Sequence, residues 1–382
     1  MISVIEMFAG IGAFRKALER QAVEHEVIGI SEIDKYAIQS YNAIFGQTKN
    51  YGDISKVLKF DHADMWTYGF PCQDISVAGK QAGIKRDTRS GLLYQVQRLL
   101  ETAYQYNELP KYLIMENVKN LVGKKFRKDF DSWLDYLDEI GYNNYWQVLN
   151  AKDYGMPHNR ERVFCISIRK DIDKGEFKFP EKQELKLRLK DMLEEEVDEK
   201  YYLNDVQIDK IKSSNFAQEA KRIQEKEYYD TLLARDWKDP KCVQVGTLDI
   251  KGQDIIKRVY SSDGLSPTLT TMEGGNRQPK IIASRGRYNE DGTTEQHVEL
   301  QESGLTNTIT TVQKDNYLLN DFRIRKLTPR ETWRLMGFGD IDFDKAQASG
   351  VSNTQLYKQA GNSIVVNVLE EIIKNLGLPT HF

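Results

Sequence analysis

The sequence predicts an α/β fold: a mostly parallel sheet assembled from βα units, with a smaller, largely β module inserted and the end of the chain returning to the first layer. Three observations predict it. Short β-rich runs alternate with longer amphipathic segments from residue 1 to about 170. After Arg169 the composition becomes Lys- and Glu-rich, in a helical manner, up to about Lys226, and then Gly-, Thr- and Ser-punctuated and β-like through Leu319. Finally, a helix start at Thr328 and an apolar run from Ile364 to Leu376 close the chain and need a core to receive them. The boundaries that follow are 1–170 for the first domain, 171–322 for the inserted module with its helical lead-in, and 323–382 for the returning segment.

The elements follow in order. Met1 to Phe8 is apolar but carries Glu6 and no basic start, so it reads as a first core strand and not as a signal peptide. Further strands are expected near 27–31, 64–68, 112–116, 145–149 and 163–168. Helices fit 13–21, 35–45, 91–105 and 127–140, the third with Leu92, Leu93, Val96, Leu99 and Leu100 at helical spacing. Within the inserted module Gly264-Leu265-Ser266-Pro267-Thr268-Leu269-Thr270-Thr271 returns as Gly304-Leu305-Thr306-Asn307-Thr308-Ile309-Thr310-Thr311, too few copies for a solenoid. Thr328-Pro329-Arg330-Glu331 has a capping residue, a proline at the first helical position and a glutamate at the third.

With 382 residues, 40% hydrophobic and 29% charged, and a mean hydropathy of -0.59, the chain reads as an ordinary globular protein expected in the cytoplasm. No apolar run approaches the ~20 residues of a spanning helix. Three scattered cysteines, Cys72, Cys165 and Cys242, suit neither a disulfide framework nor a thiolate metal site, and the five histidines show no ligand spacing, so no metal is expected. The net charge of -3 does not point to nucleic acid, so local patches must decide. Lys80, Lys85, Arg86 and Arg89 crowd the stretch after Cys72, residues 119–128 hold five basic residues and no acid, and Arg160 and Arg162 flank Glu161.

Two places carry chemistry. Phe8-Ala9-Gly10-Ile11-Gly12 follows the first strand and precedes a helix, where glycines let a ligand approach the backbone; a plain tight turn has the same pattern. Glu32 closes the second strand, placed to bond a ribose hydroxyl, and Asp53 lies in the next βα unit, placed for an adenine amino group. Arg15 stands where a dinucleotide fold wants a small residue, which argues against a pyrophosphate and for an adenosine ligand bearing a positive sulfonium. The second place is Phe70-Pro71-Cys72-Gln73, at the exit of a buried strand, paired with Glu116 at the end of the next one. A cysteine is more often a small buried hydrophobe, but here a thiol and a carboxyl group converge, a pair suited to covalent attack on a pyrimidine ring.

Taken together, Phe8 to Gly12, Gly69 to Ser76, Glu116-Asn117-Val118, Arg160-Glu161-Arg162 and Gly361-Asn362-Ser363 resemble the DNA cytosine carbon-5 methyltransferases in order and spacing. The resemblance runs over residues 3–170 and 323–377 and is loose in between. It implies an S-adenosylmethionine-dependent, Rossmann-like methyltransferase fold in which Cys72 adds to carbon 6 of cytosine and Glu116 assists at ring nitrogen 3. It also implies that Arg162, beside Arg160, holds the cytosine oxygen, that Asn117 braces the Pro71-Cys72 turn, and that no metal takes part. For the cofactor it points to Phe8, Gly10, Ile11, Gly12, Glu32, Asp53, Ile54, Pro71, Leu92, Asn362 and Ser363. Ile33 departs from the pattern, since relatives often carry an aromatic there.

The implied partner is double-stranded DNA with the target base flipped out of the stack. Gln73, Ser76, Lys80, Gln81, Lys85, Arg86 and Arg89 are expected on a loop that closes on the phosphates around it; an ordinary solvated loop has the same composition. The inserted module is expected to be the target recognition domain. Thr268-Leu269, or alternatively Thr308-Ile309, presents a threonine to the target phosphate, and Arg277, Arg285 and Arg287 are candidate base readers. Some relatives have a serine at the position of Ala78 that fills the gap left by the flipped base; here another residue must do so. A monomer is expected, from a restriction-modification system with a cognate endonuclease, a mobile element or a phage. Two other classes remain: an RNA cytosine methyltransferase on the same scaffold, and a catalytically silent DNA binder, which intact Cys72, Glu116 and Arg162 disfavour.

Overall fold

The computed structural model describes residues 1–71, 89–202, 323–380 and five short strands between 244 and 295. Cys72, Gln73, Ser76, Ala78, Lys80, Gln81, Lys85, Arg86, Thr268, Arg277, Arg285 and the second threonine-rich copy lie outside the described residues. Those described fall into two compact units: 1–71, 89–187 and 332–380 in the first, and 188–202, the five strands and 323–331 in the second.

The first unit is built on a six-stranded sheet with β1 (Ile2–Met7), β2 (His25–Ser31), β3 (Met65–Tyr68), β4 (Tyr112–Val118), β5 (Tyr142–Asn150) and β6 (Glu161–Arg169). The order across it is β2-β1-β3-β4-β6-β5. Pairing is parallel from β2 through β4, whereas β6 runs antiparallel to both β4 and β5. All six strands lie where the alternation of β-rich runs places them. The central ones are buried almost throughout, as expected of strands covered on both faces.

Helices α1 (Ala13–Arg20), α2 (Lys35–Phe45), α3 (Leu93–Gln105) and α4 (Arg127–Glu139) also match their expected spans, with one difference: residues 89–92 form a separate 3-10 turn before α3. Leu93, Val96, Leu99, Leu100 and Ala103 form the buried stripe of α3. The apolar run near the end is a helix over Val366–Asn375 that packs against α1, its Leu369, Ile372 and Ile373 buried. The returning segment therefore belongs to the first unit from residue 332 onward.

Two readings of the chain differ from the structure. Residues 171–202 contain no α-helix, only 3-10 turns at Leu189–Met192 and Glu199–Tyr201. Their Lys and Glu content is helix-compatible but lacks an apolar stripe, and the backbone is held extended, with Tyr154 Oη donating to the Pro180 carbonyl and Gln183 N donating to that of Asp153. Conversely, helices at Asp340–Ala348 and Asn353–Asn362 give little periodic signal, because each buries only a few apolar side chains. The buried Gln359 instead bonds α2, its amide oxygen accepting from Ser40 Oγ and its nitrogen donating to the Tyr36 carbonyl.

In the second unit, four strands pair in the order β12-β9-β8-β7: β7 (Gln244–Thr247), β8 (Arg258–Tyr260), β9 (Lys280–Ala283) and β12 (Arg323–Lys326). A two-stranded ribbon joins β10 (Arg287–Tyr288) to β11 (Thr294–Glu295). The capping box at Thr328 forms as its residues require: Glu331 Oε2 accepts from Thr328 N at 2.7 Å and Thr328 Oγ1 accepts from Glu331 N at 3.2 Å. Arg325 completes it with two bonds to the fully buried Glu331 carboxylate, at 2.8 and 2.7 Å.

A charge from β1 sits under the first helix. Gly12, the residue before α1, offers no side-chain cap; Glu6 supplies one, accepting Arg15 N at 3.0 Å and the Tyr41 hydroxyl. Burial pushes Glu6 up to about 7, against those hydrogen bonds, from an ordinary 4.5. A raised carboxyl stabilises the fold most below its unfolded value, and that contribution is lost as pH rises through 7. Between pH 5 and 8 the wild type should therefore lose about 2 kcal/mol of stability relative to Glu6→Gln. Urea denaturation of both proteins across that range checks it, and parallel profiles would remove the buried charge from the account.

Candidate active site

The aligned carboxyl ends of β1, β3 and β4, paired through Met7, Tyr68 and Met115, bring the segments after them to one edge of the sheet, where ligands of such folds bind. Because β6 runs the other way, its beginning reaches that same edge, with Arg162 opposite Val118 and Phe164 opposite Glu116. Glu116 and Arg162 are thus diagonal neighbours on one face. Arg162 Nε lies 3.0 Å from Glu116 Oε1, and Arg162 Nη1 donates to the Glu161 carbonyl at 2.8 Å.

Glu116 is buried, and burial raises its carboxyl above the ordinary glutamate range against the opposing charges of Arg162 and Arg160. A proton is therefore easier to keep there than on a surface glutamate.

The exit of β3 is fixed against this carboxyl group. A Cβ on Gly69 would stand 3.4 Å from Glu116 Oε2, so the glycine leaves the approach to the carboxylate open. One residue on, the Phe70 carbonyl accepts from Asn117 Nδ2 at 3.0 Å, and Phe70 itself is buried. The chain thus enters Pro71 from a held position beside Glu116. Gly69 opens the Gly69 to Ser76 motif, and the structure adds what the sequence reading did not give it, a position against the Glu116 carboxylate.

Arg160 joins the chain's end to this edge. It is buried, and its Nη2 donates to the carbonyls of Gly361 at 3.1 Å and Ser363 at 2.7 Å. Asn362 and Ser363 are brought beside the Arg160-Glu161-Arg162 strand although some 200 residues separate them in the chain. His158 adds a second link, its Nδ1 3.3 Å from the Leu335 carbonyl.

The glycine loop after β1 takes a strained form, with Phe8 at φ 56°, Gly10 at 57° and Gly12 at 82°. At Gly12 a side chain is also excluded by space, since a Cβ would meet Phe45 and Tyr41 ring atoms at 2.4 and 2.8 Å. At Gly10 the same position is open, with nothing within 4 Å. Glu32 holds the loop, accepting Gly10 N at 2.9 Å through Oε2 and the backbone N–H groups of Ile33 and Asp34 at 2.8 Å through Oε1. A carboxylate accepts about four bonds, so capacity for a hydroxyl remains on Oε2.

Ile33 is 73% exposed next to it, an apolar surface directed at solvent. Asp53 Oδ1 accepts Ser55 N and Oγ, bonds that hold its carboxyl below the usual range and hence ionised. Ile54 follows it, buried, while Ile11 is buried under the loop and Leu92 sits at the start of α3. These acceptors and apolar surfaces fit an adenosine bearing free hydroxyls and an amino group.

Comparison with known proteins decides the family. The family model of the C-5 cytosine-specific DNA methylases matches residues 2–378. The chain belongs to this family. This methylase is 36% identical to the orphan methyltransferase M.SPBetaI of Bacillus phage SPbeta, over 98% of this chain and 97% of that one. It is also 36% identical to the type II methyltransferase M2.ScrFI of Lactococcus lactis (98% and 99% covered) and 32% identical to the type II methyltransferase M.HhaI of Haemophilus parahaemolyticus (99% and 95%). Among solved structures its fold is similar to S. pombe Dnmt2 methyltransferase, with a TM-score of 0.63 at 20% identity, and to Entamoeba histolytica EhMeth, with 0.61 at 17%, each covering 98% of both chains. The methylase therefore has the Rossmann-like methyltransferase fold that the sequence reading expected and is a C-5 cytosine-specific DNA methyltransferase.

Arg160→Met should uncouple the chain's end from the methylase edge. Two buried carbonyls would lose charge-assisted bonds, costing about 3 kcal/mol of stability in urea denaturation. A loss below about 1 kcal/mol would mean that Arg160 does not hold this junction.

Proposed function

We propose that this methylase flips a target cytosine from duplex DNA and methylates carbon 5 through covalent addition of Cys72 to carbon 6. The observation that carries the reading is the buried Glu116–Arg162 pair beside the held segment Gly69-Phe70-Pro71, which leads directly to the thiol. Carbon 5 of cytosine is a poor nucleophile. Addition of the Cys72 thiolate at carbon 6 pushes electrons toward ring nitrogen 3, and Glu116, favoured in its protonated form by burial, hydrogen-bonds that nitrogen as charge develops. Arg162 keeps the carboxyl oriented and would hold the cytosine oxygen; Asn117 holds the Phe70 carbonyl, two residues before the thiol in the chain.

S-adenosylmethionine would supply an electrophilic methyl group to carbon 5, its sulfonium leaving as the thioether of S-adenosylhomocysteine. Glu32 would hold its ribose, Asp53 and Ile54 its adenine with Ile33 against the ring, and Phe8, Gly10, Ile11, Gly12, Pro71, Leu92, Asn362 and Ser363 the remainder. Loss of the carbon 5 proton and departure of the Cys72 thiolate restore the aromatic ring.

Residues 171–322 are read as the target recognition domain, with Thr268 at the target phosphate, Arg277 among the base readers, and Gln73, Ser76, Lys80, Gln81, Arg86 and Arg89 on the phosphates near the flipped base. The enzyme is read as a monomer, with a cognate endonuclease where it serves restriction and none where it is phage-borne. No helix among the described residues is long and apolar enough to cross a membrane.

Bisulfite sequencing of plasmid DNA from cells expressing the protein, beside Cys72→Ala, tests the reading. Protected cytosines in a recurring context, lost in the variant, are expected; no protection with the wild type would overturn it. In steady-state assays Glu116→Gln should lower kcat at least about 100-fold, and a change under threefold would take the carboxyl group out of the chemistry.

A further inference from the structure

The five basic residues between 119 and 128 have no part in the site described above. They follow β4 at the edge that carries Glu116. A 3-10 turn over Lys119–Val122 leads into a tight turn, in which Phe126 N and Arg127 N both donate to the Gly123 carbonyl, at 3.0 and 2.9 Å, and α4 starts at Arg127. Leu121 and Phe126 are buried on either side and anchor the segment, so Lys124 and Lys125 occupy the exposed centre of the turn and Lys128 is exposed on the first turn of α4.

Two of the five, Lys119 and Arg127, pair with acids. Lys119 Nζ lies 2.8 and 2.9 Å from the Glu161 carboxylate oxygens, and Arg127 pairs with Asp131 at 2.7 Å while covering the Trp146 ring. Lys124 and Lys128 make no ion pair with any described residue, and Lys125 lies over the Phe126 ring, 5.3 Å from its centroid. Asp129 is the acid nearest to them in the first turn. The fold does not account for this placement, since cations at the amino end of a helix oppose its dipole.

An anionic partner at this edge does account for it. Lys124 is six positions beyond Val118, so the turn lies within about 20 Å of the end of β4, and about 20 Å of duplex carries roughly twelve phosphates. A duplex that delivers a base to Glu116 therefore brings its backbone within reach of the turn.

We propose that Lys124, Lys125 and Lys128 form a second clamp on the phosphate backbone of the duplex, separate from the loop after Cys72 and flanking the target base from the β4 side. The proposal rests on the reading of the protein as a duplex DNA methylase. Its bonds are to phosphate, so they position the duplex without reading sequence.

The test is the salt dependence of binding to a fluorescent duplex oligonucleotide containing the methylated sequence, with steady-state kinetics on the same duplex. For the triple variant Lys124→Gln, Lys125→Gln, Lys128→Gln, the plot of log K against log salt should be shallower than wild type by about 2 to 3, near 0.9 for each phosphate no longer neutralised. KM for DNA should rise at least about tenfold with kcat within twofold. The control carries the same change in charge at the opposite edge, as Lys59→Gln, Lys111→Gln, Lys170→Gln, and should keep the wild-type slope. An unchanged slope in the first variant, or an equal flattening in the control, overturns the clamp. A wild type that neither binds nor methylates the duplex overturns the underlying reading instead.

Discussion

The antiparallel docking of β6 on β4 is the constraint on which the candidate site depends. A fully parallel sheet would carry the start of β6 to the far edge, away from the ends of β1, β3 and β4. By reversing one strand, the fold places Arg162 two residues diagonal to Glu116 and Arg160 within reach of Gly361 and Ser363. The register has little freedom: a slip of one residue would turn Arg162 to the opposite face and leave a buried carboxylate without its cation, an arrangement that costs several kcal/mol.

Burial and pairing act on Glu116 in opposite directions, and their balance is what makes the group useful. Arg162 favours the carboxylate, burial favours the acid, and burial prevails. A carboxyl group so placed holds a proton more readily than a free one while remaining oriented by its neighbour. The same economy of parts appears at the glycine loop, where Glu32 commits most of its hydrogen-bonding capacity to backbone N–H groups and Glu6 caps α1 from within the sheet. Both carboxylates shape backbone that a ligand can approach closely.

Much of this was legible in the sequence because periodicity and punctuation agree there. Every strand of the main sheet and the four helices between them follow from apolar spacing, and Glu116, Arg162 and the Phe8–Gly12 loop stand where local motifs put them. The capping box at Thr328 is likewise a local rule, and it forms. What escaped depends on distant partners. The motifs name both Gly69 and Arg160, but what each touches, Glu116 for Gly69 and carbonyls some 200 residues away for Arg160, leaves no trace in local pattern. The helices Asp340–Ala348 and Asn353–Asn362 are held by buried polar bonds such as those of Gln359 to α2, so their apolar signal is weak. Residues 171–202 misled in the other direction, since charged composition suggested a helix where tertiary anchors keep the backbone extended.

The central claim is that Cys72, which follows the held segment Gly69-Phe70-Pro71 in the chain, adds its thiol to carbon 6 of a cytosine while Glu116 assists across the ring. Its most direct test uses a duplex whose target cytosine carries fluorine at carbon 5. After methyl transfer the adduct has no proton at that carbon to lose, so the bond to the enzyme persists. The account predicts a denaturation-stable protein–DNA complex that requires S-adenosylmethionine, with the modified peptide containing Cys72, and far slower trapping in Glu116→Gln. Attachment at any other residue, or turnover of ordinary DNA with no trapping of the fluorinated duplex, would contradict it.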